Sequence, residues 1–591
     1  MNKKVKVLIG GIAVILIISI IVVGYYLTNL NNSVTKDKID DWKYWGKESN
    51  KEYLSQSYDS AGVFSVPQGQ STSLSSKSVK NSFGAKSEST VGLSVGGSKN
   101  IDNFRENIKN GYFPISTDIT YNGLFYDYYF ETGKQKESED LFSPSYSMAI
   151  SKDPISSKDE YYMTVGLNSN IKQSDFKRKK QNIVIVLDIS GSMDSTLQSY
   201  YYDEGNSIFS KFKKNKSKME LANEAVNLMI DELNDDDRFG MVLFDNGAYL
   251  GKPLSLIGDT DIKGIKEHIL EIEARGGTNF EAGYKRGTDL FEDEVLNDKE
   301  YDNRIIVITD AMPNVGTTNK SDLLKYIESN SKNGIYTSFI GVGVDFNTEV
   351  IESISNVRGA NYYSISSNEQ FKKILSEDFE YMVTPLVFDL NLNFESTEYD
   401  IEKVYGTDSE DLSSGNIMKV NTLFPSSTNE NSESKGGVIL LKLKKKDNST
   451  DNKINLRVSY TDRDGNKHSN SQDIEFNKNE EFYENTGIRK AIALTRYANT
   501  LKSWILYERT NKDERFYIYE DVGVIDCDYV KEDVRRILGE NERTSVKLTV
   551  SDEYRENFKN IKSYLENEKN ELKDEELKKE IDLLEELIKK I

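Results

Sequence analysis

Val186-Leu187-Asp188-Ile189-Ser190-Gly191-Ser192-Met193 closes an apolar run that begins at Ile183. The run is rich in β-branched residues and reads as a buried strand. It ends in Asp-x-Ser-x-Ser, which places one carboxylate and two hydroxyls at alternate positions of a tight loop. Hard oxygen donors on such a loop make half of a divalent-cation site. A strand closing in an ordinary polar turn is the simpler reading of the same residues. Two later stretches supply what would be the other half: Gly276-Gly277-Thr278-Asn279 and Ile305-Ile306-Val307-Ile308-Thr309-Asp310.

Together Asp188, Ser190, Ser192, Thr278 and Asp310 form an oxygen-only donor set. It suits Mg²⁺, which takes octahedral oxygen ligands and keeps several waters, with Mn²⁺ or Ca²⁺ as alternatives. Zinc prefers His or Cys. The chain has 2 His and 1 Cys (His268, His468 and Cys527), and none shows ligand spacing. Carboxylates bound through water would leave the ion electrophilic, with one position open to an Asp or Glu of a partner. Asp188 and Asp310 could also be taken for a hydrolytic pair, but their flanking hydroxyls suit ligation better. No Ser-His-Asp, Cys-His or phosphate-cradling pattern is legible, and the chain reads as a non-enzyme.

Outward from the motif, strand-like and helix-like runs alternate from about Gln181 to Glu380. The spacing predicts a helix near Lys218–Leu233, a strand Phe239–Phe244 and an edge strand Ala248–Ile257. Helices near Ile262–Ile272 and Phe280–Phe291, a strand Arg304–Thr309 and a helix Ser321–Asn333 follow. A strand Tyr336–Gly341, a strand Asn361–Ser364 and a helix Asn368–Tyr381 complete the series. Such alternation implies a doubly wound, mainly parallel α/β sheet. Ligands of these sheets bind beyond the carboxyl ends of strands, where the strand order reverses. Asp188 and Asp310 both stand at such ends.

This order of motifs resembles the von Willebrand factor A domain. The family's metal-ion-dependent adhesion site uses Asp-x-Ser-x-Ser, a Thr and an Asp in that order. The resemblance places the site on Asp188, Ser190, Ser192, Thr278 and Asp310. It implies direct ligation by the serines, direct or water-mediated ligation by the threonine, and aspartates acting largely through water. Asp310-Ala311-Met312-Pro313-Asn314-Val315-Gly316 resembles the bacterial membrane-associated members of the YfbK-like and Ca-activated-chloride-channel-like kind, with Ala311 in place of their Gly. A single apolar span cannot line a pore, so the channel label has little bearing. Around the ion, Met193, Tyr200, Tyr201, Tyr202, Asn279 and Asn314 are candidates for a partner-binding rim. Asn279 is equally suited to cap the helix that follows it. Residues 194–217 exceed the short connection usual in the family and carry Lys211, Lys213, Lys214 and Lys216. They read either as a frame for the partner or as a tolerated surface loop.

The remaining chain divides by composition into a tip and anchor (1–30), a stalk (31–90), a flanking region contributing strands (91–180), the α/β domain (181–382), a β-rich domain (383–480) and a helical region (481–591). Val7–Leu27 is apolar almost throughout, about 21 residues at ~1.5 Å each, enough to cross a bilayer core. Lys3, Lys4 and Lys6 precede it, so the positive-inside tendency puts the N-terminus in the cytoplasm and the bulk of the chain outside. A cleaved signal peptide is the alternative, although no Ala-x-Ala pattern closes the run. Residues 65–89 are too polar to offset their ordering entropy and read as flexible. Trp42, Tyr44 and Trp45 could sit at the membrane surface or dock on the body.

Beyond Glu380 the pattern turns to β, and strand-like runs at Tyr146–Ile150 and Tyr161–Leu167 suggest that the α/β domain is inserted in, or flanked by, a β-sandwich. Asp462, Asp464 and Asn466 resemble a calcium loop only in part, because Lys467 stands where Gly is needed. The helices after Gly487 pack on the body or support self-association. Net charge is −21, which disfavours nucleic acid as a partner. These readings predict a membrane-anchored extracytoplasmic protein that binds a carboxylate-bearing partner through Mg²⁺. A scaffold or assembly subunit of a membrane or secretion complex, with the metal secondary, is the alternative.

Overall fold

The computed structural model describes residues 38–44, 90–133, 140–154, 157–199, 216–310, 320–344, 346, 348–407, 417–446, 453–476, 480–511 and 546–590. The apolar span Val7–Leu27, Trp45, Tyr200–Tyr202, Asn314 and Cys527 lie outside them. Among the described residues no helix is long and apolar enough to cross a membrane.

The stretch quoted first is the centre of a seven-stranded sheet. Its order is Gly97–Ser98, Asn361–Ile365, Ile335–Val342, Tyr301–Thr309, Lys180–Asp188, Arg238–Phe244, Ala248–Leu256. Every pairing is parallel except the last, so Ala248–Leu256 is the expected edge strand. Side chains alternate across a strand, and the central run shows the consequence. Ile183, Ile185 and Leu187 join a core with Met219, Ala222, Val226 and Met229 of the helix Lys218–Asp231. Val184 and Val186 face the opposite core, with Phe280, Tyr284, Leu323 and Ile327. A strand buried on both faces must read as continuously apolar, which is why it did.

Two antiparallel sheets form a sandwich beside this domain. One runs Lys467–Glu475, Lys453–Asp462, Val387–Ser396, Ile417–Ser426, Thr90–Val95, Asn168–Lys172, and the other Tyr399–Tyr405, Val438–Lys445, Asp159–Gly166, Ser145–Lys152, Phe482–Tyr483. Leu93, Met163 and Val165 from before the α/β domain share one core with Leu390, Leu392 and Leu441 from after it. The chain leaves the sandwich after Lys172, builds the α/β domain, and returns at Val387. Stretches 91–180 and 383–480, distant in sequence, therefore share two sheets. The Asp462 loop closes a hairpin by its own bonds: Asp462 Oδ1 accepts from the backbone N–H of Asp464 (2.9 Å) and Asn466 (2.8 Å).

The C-terminal helices Thr486–Asn511, Asp552–Leu572 and Lys578–Lys589 pack on the N-terminal flank. Leu565, Leu577, Leu584 and Leu587 are buried with Ile101, Phe104 and Phe125, so these helices pack on the body, the first of the two readings. Lys573 is a left-handed residue (φ 54°) that ends the middle helix. Arg105, buried under these helices, pairs with Asp127 (2.6 Å) and with Glu580, which also accepts from the Tyr128 hydroxyl (2.9 Å).

Of the two places read for Trp42 and Tyr44, the structure shows docking on the body. Residues 38–44 lie along the α/β domain, where Lys43 N–H donates to Gly251 O (2.8 Å) and Trp42 stacks on His268. Trp42 and Tyr44 are buried, and Asp41 pairs with the buried Lys252 (3.2 Å). Two aromatics in an otherwise polar stretch had enough apolar surface to favour docking on the body over solvent.

Candidate metal centre

Asp188 is the last residue of the central strand and lies in register with Phe244 of one neighbour. On the other side Leu187 pairs with Ile308, so Asp310 leaves the sheet beside Asp188. The chain passes from the central strand first to one side and later to the other, which makes this end the point where strand order reverses. All five proposed ligands are buried: Asp188 and Asp310 are 0% exposed, Ser190 1%, Thr278 2% and Ser192 6%.

Local hydrogen bonds set the loop. The Ser190 N–H donates to Asp188 Oδ1 (2.8 Å), and the Thr309 hydroxyl donates to Asp188 Oδ2 (2.6 Å). The Ser190 and Ser192 hydroxyl oxygens lie 3.1 Å apart. The second loop is tied to the first where Gly191 N–H donates to Gly276 O (3.0 Å) and Arg275 N–H to Ile189 O. Gly276 turns with φ +73°, which favours glycine. Asn279 then caps the helix Phe280–Thr288, its side chain accepting from Ala282 N–H (3.1 Å) while its Nδ2 donates to Asn246 O (3.2 Å).

Electrostatics explain what this crevice requires. Burial, and then the negative Asp310 beside it, push the Asp188 carboxyl up to about 7, against the opposing bonds from Thr309 and Ser190. Two buried carboxylates together call for positive charge. Lys218, the first residue of its helix, supplies one such charge: its Nζ lies 3.3 Å from Asp310 Oδ2, with both side chains fully buried. Asp245, at the end of the adjacent strand, is matched by Arg275 (3.0 Å).

The donor chemistry fits a hard divalent ion. Neighbouring oxygens of a Mg²⁺ octahedron with bonds of 2.0–2.1 Å stand about 2.9 Å apart, close to the 3.1 Å between the two serine hydroxyls.

Two rim assignments change. Met193 is fully buried in the core with Ile189 and Met219, because the short turn Gly191–Asp194 carries it inward, so it cannot meet a partner. Asn279 spends its side chain on the helix cap. Tyr200–Tyr202 and Asn314 lie outside the described residues. The long connection is rooted at the site's edge, where Thr196 bridges to Ser217 and Leu197 O accepts from Val344 N–H (3.0 Å). Lys218 and Thr309 were missed in the sequence. Thr309 was open to discovery, since it precedes Asp310 in the quoted run.

Residues 183–312 match the family model of the von Willebrand factor type A domain. Mouse inter-alpha-trypsin inhibitor heavy chain H2 is 24% identical over 219 residues, covering 36% of this chain and 21% of that protein. The uncharacterized protein YfbK of Escherichia coli K12 is 25% identical over 219 residues, covering 36% of this chain and 33% of its own. The chain thus spans about a fifth to a third of the length of these curated relatives. A von Willebrand factor type A structure from Catenulispora acidiphila superposes with TM-score 0.38 at 16% identity, covering 63% of this chain and 81% of its own.

Proposed function

We propose that this chain is a membrane-anchored, extracytoplasmic adhesion or protein-binding molecule that grips a carboxylate-bearing protein partner through Mg²⁺, with Mn²⁺ or Ca²⁺ as alternatives. Von Willebrand factor A domains typically serve protein binding or adhesion. The observation that carries the reading further is the burial of Asp188 and Asp310, with the hydroxyls of Ser190 and Ser192 3.1 Å apart, at the sheet's switch point. There, Ser190, Ser192 and Thr278 offer neutral oxygens, while Asp188 and Asp310 supply the negative charge. Thr309 and the Ser190 N–H hold the Asp188 carboxylate in one orientation. A bound dication would act as a Lewis acid toward an incoming Asp or Glu carboxylate. The apolar span Val7–Leu27, with its preceding lysines, supports anchoring and the outward orientation.

The test uses the full-length protein in detergent. Calorimetry is expected to show Mn²⁺ binding that Asp188→Ala abolishes while the circular dichroism spectrum is kept. Capture of a surface protein from cell extract is expected with Mg²⁺ or Mn²⁺ and to be lost in chelator. Capture that persists both in chelator and in the variant would overturn the reading in favour of a metal-independent scaffold subunit.

A further inference from the structure

Lys218 is out of place by every local rule. Acidic side chains favour the first turn of a helix, where the dipole is positive, and a cation there is disfavoured. Fully buried lysines are rare unless paired. Yet Lys218 is the first residue of the helix Lys218–Asp231, its side chain is fully buried, and Nζ points at Asp310 Oδ2, 3.3 Å away. Its backbone is fixed as well: Ser217 and Glu220 form a reciprocal capping box around it, and Lys218 N–H donates to Ser195 O (2.8 Å). The start of the helix therefore delivers an ammonium group to the floor of the crevice.

We propose that Lys218 is a built-in counter-cation that sets the metal affinity of this site, an inference that rests on the metal-binding reading above. Asp188 and Asp310 bring two carboxyl groups to this end of the sheet, and Lys218 brings an ammonium against one of them. An ammonium this close to a metal ligand adds positive charge where a dication would sit. The ammonium lies 3.3 Å from Asp310 Oδ2, one of the oxygens offered to the ion. The cost is repulsion between the ammonium and the dication, which weakens metal binding.

The experiment measures Mn²⁺ affinity of the full-length protein by calorimetry in wild type, Lys218→Met and Lys218→Gln. Met keeps the aliphatic volume, and Gln keeps a hydrogen-bond donor toward Asp310 should Met not fold. Removing the ammonium is expected to tighten Mn²⁺ binding by on the order of tenfold, since a unit charge within several ångströms of a dication costs at least that much at an effective dielectric of ~20. Lys218→Arg, which keeps the charge, is expected to bind as wild type does. A folded neutral variant with unchanged or weaker Mn²⁺ affinity overturns the role of Lys218 while leaving the metal site standing. Absence of Mn²⁺ binding in wild type overturns the metal-site reading itself.

Discussion

Gly283→Ala tests whether close packing of one helix sets the position of Thr278. Gly283 lies in the helix Phe280–Thr288, which begins directly after Thr278 and its cap Asn279. A Cβ at Gly283 would stand 2.6 Å from Cδ1 and Cγ of Phe244 and 2.8 Å from its Cβ. Carbon pairs settle at about 3.5–4.0 Å, so the helix or the ring must give by roughly 1 Å. Phe244 has little room to yield: it is fully buried, and Phe280 abuts it edge-on at 6.3 Å between centroids. One turn on, a Cβ at Gly287 would meet Val186 Cγ2 at 2.6 Å, so the helix is seated flush at two points. Overpacking of this kind costs about 1–3 kcal/mol. Alanine returns about 0.8–1 kcal/mol through its better helix propensity, which leaves a net loss on the order of 1 kcal/mol. The larger effect falls on the site. A shift of ~1 Å is about half a Mg–O bond and would take the Thr278 hydroxyl out of ligand range. The assay pairs a urea midpoint with Mn²⁺ calorimetry on the same preparation. The expected result is a small fall in stability with about tenfold weaker Mn²⁺ binding, equivalent to ~1.4 kcal/mol. Lost stability with unchanged metal affinity would refute the claim that this helix positions Thr278.

Two further outcomes follow from buried and half-exposed charge. Glu580→Ala strips Arg105 and the Tyr128 hydroxyl of a buried acceptor; truncating one partner of such a pair costs about 3–5 kcal/mol. Arg105 keeps Asp127 and Asp102, so the expected loss in a urea titration is nearer ~2–3 kcal/mol, and a loss below ~1 kcal/mol would show that water already reaches the pair. His468 is held above its ordinary 6.5 by its hydrogen bond to Asp462, then by Asp140, so its contribution is complete below the unfolded value and fades as pH rises through the folded one. An NMR titration of the ring should give a midpoint above 6.5, falling in Asp462→Asn; a wild-type midpoint at or below it would contradict the geometry.

What the sequence disclosed and what it concealed divide along the range of the interactions. Asp188, Ser190 and Ser192 were legible because strand, turn and donors are contiguous. Thr278 and Asp310 were legible because each borders a periodic element whose end could be placed. Alternation likewise identified the strands of the sandwich, but a period of two says only that a strand has a buried face, not which strand it meets. Strands in 91–180 and 383–480 were accordingly read as parts of one sandwich, but which strand pairs with which was not legible. Met193 was misplaced for a smaller reason: it follows a ligand in sequence, but a short turn reverses its direction.

Long-range charge pairs left no regular trace. Lys218 and Asp310 are 92 residues apart, and Arg105 and Glu580 475. No periodicity links such positions, since only the folded topology brings them together. A local anomaly was nonetheless available. Ser217-Lys218-Met219-Glu220 reads as a helix start, and a helix start with its acid already in place has no local use for a lysine at its first position. Consistency across levels is what folding sequences ordinarily display. A residue that breaks the local rule while flanked by residues that obey it therefore points to a tertiary partner, here a carboxylate of the candidate metal centre.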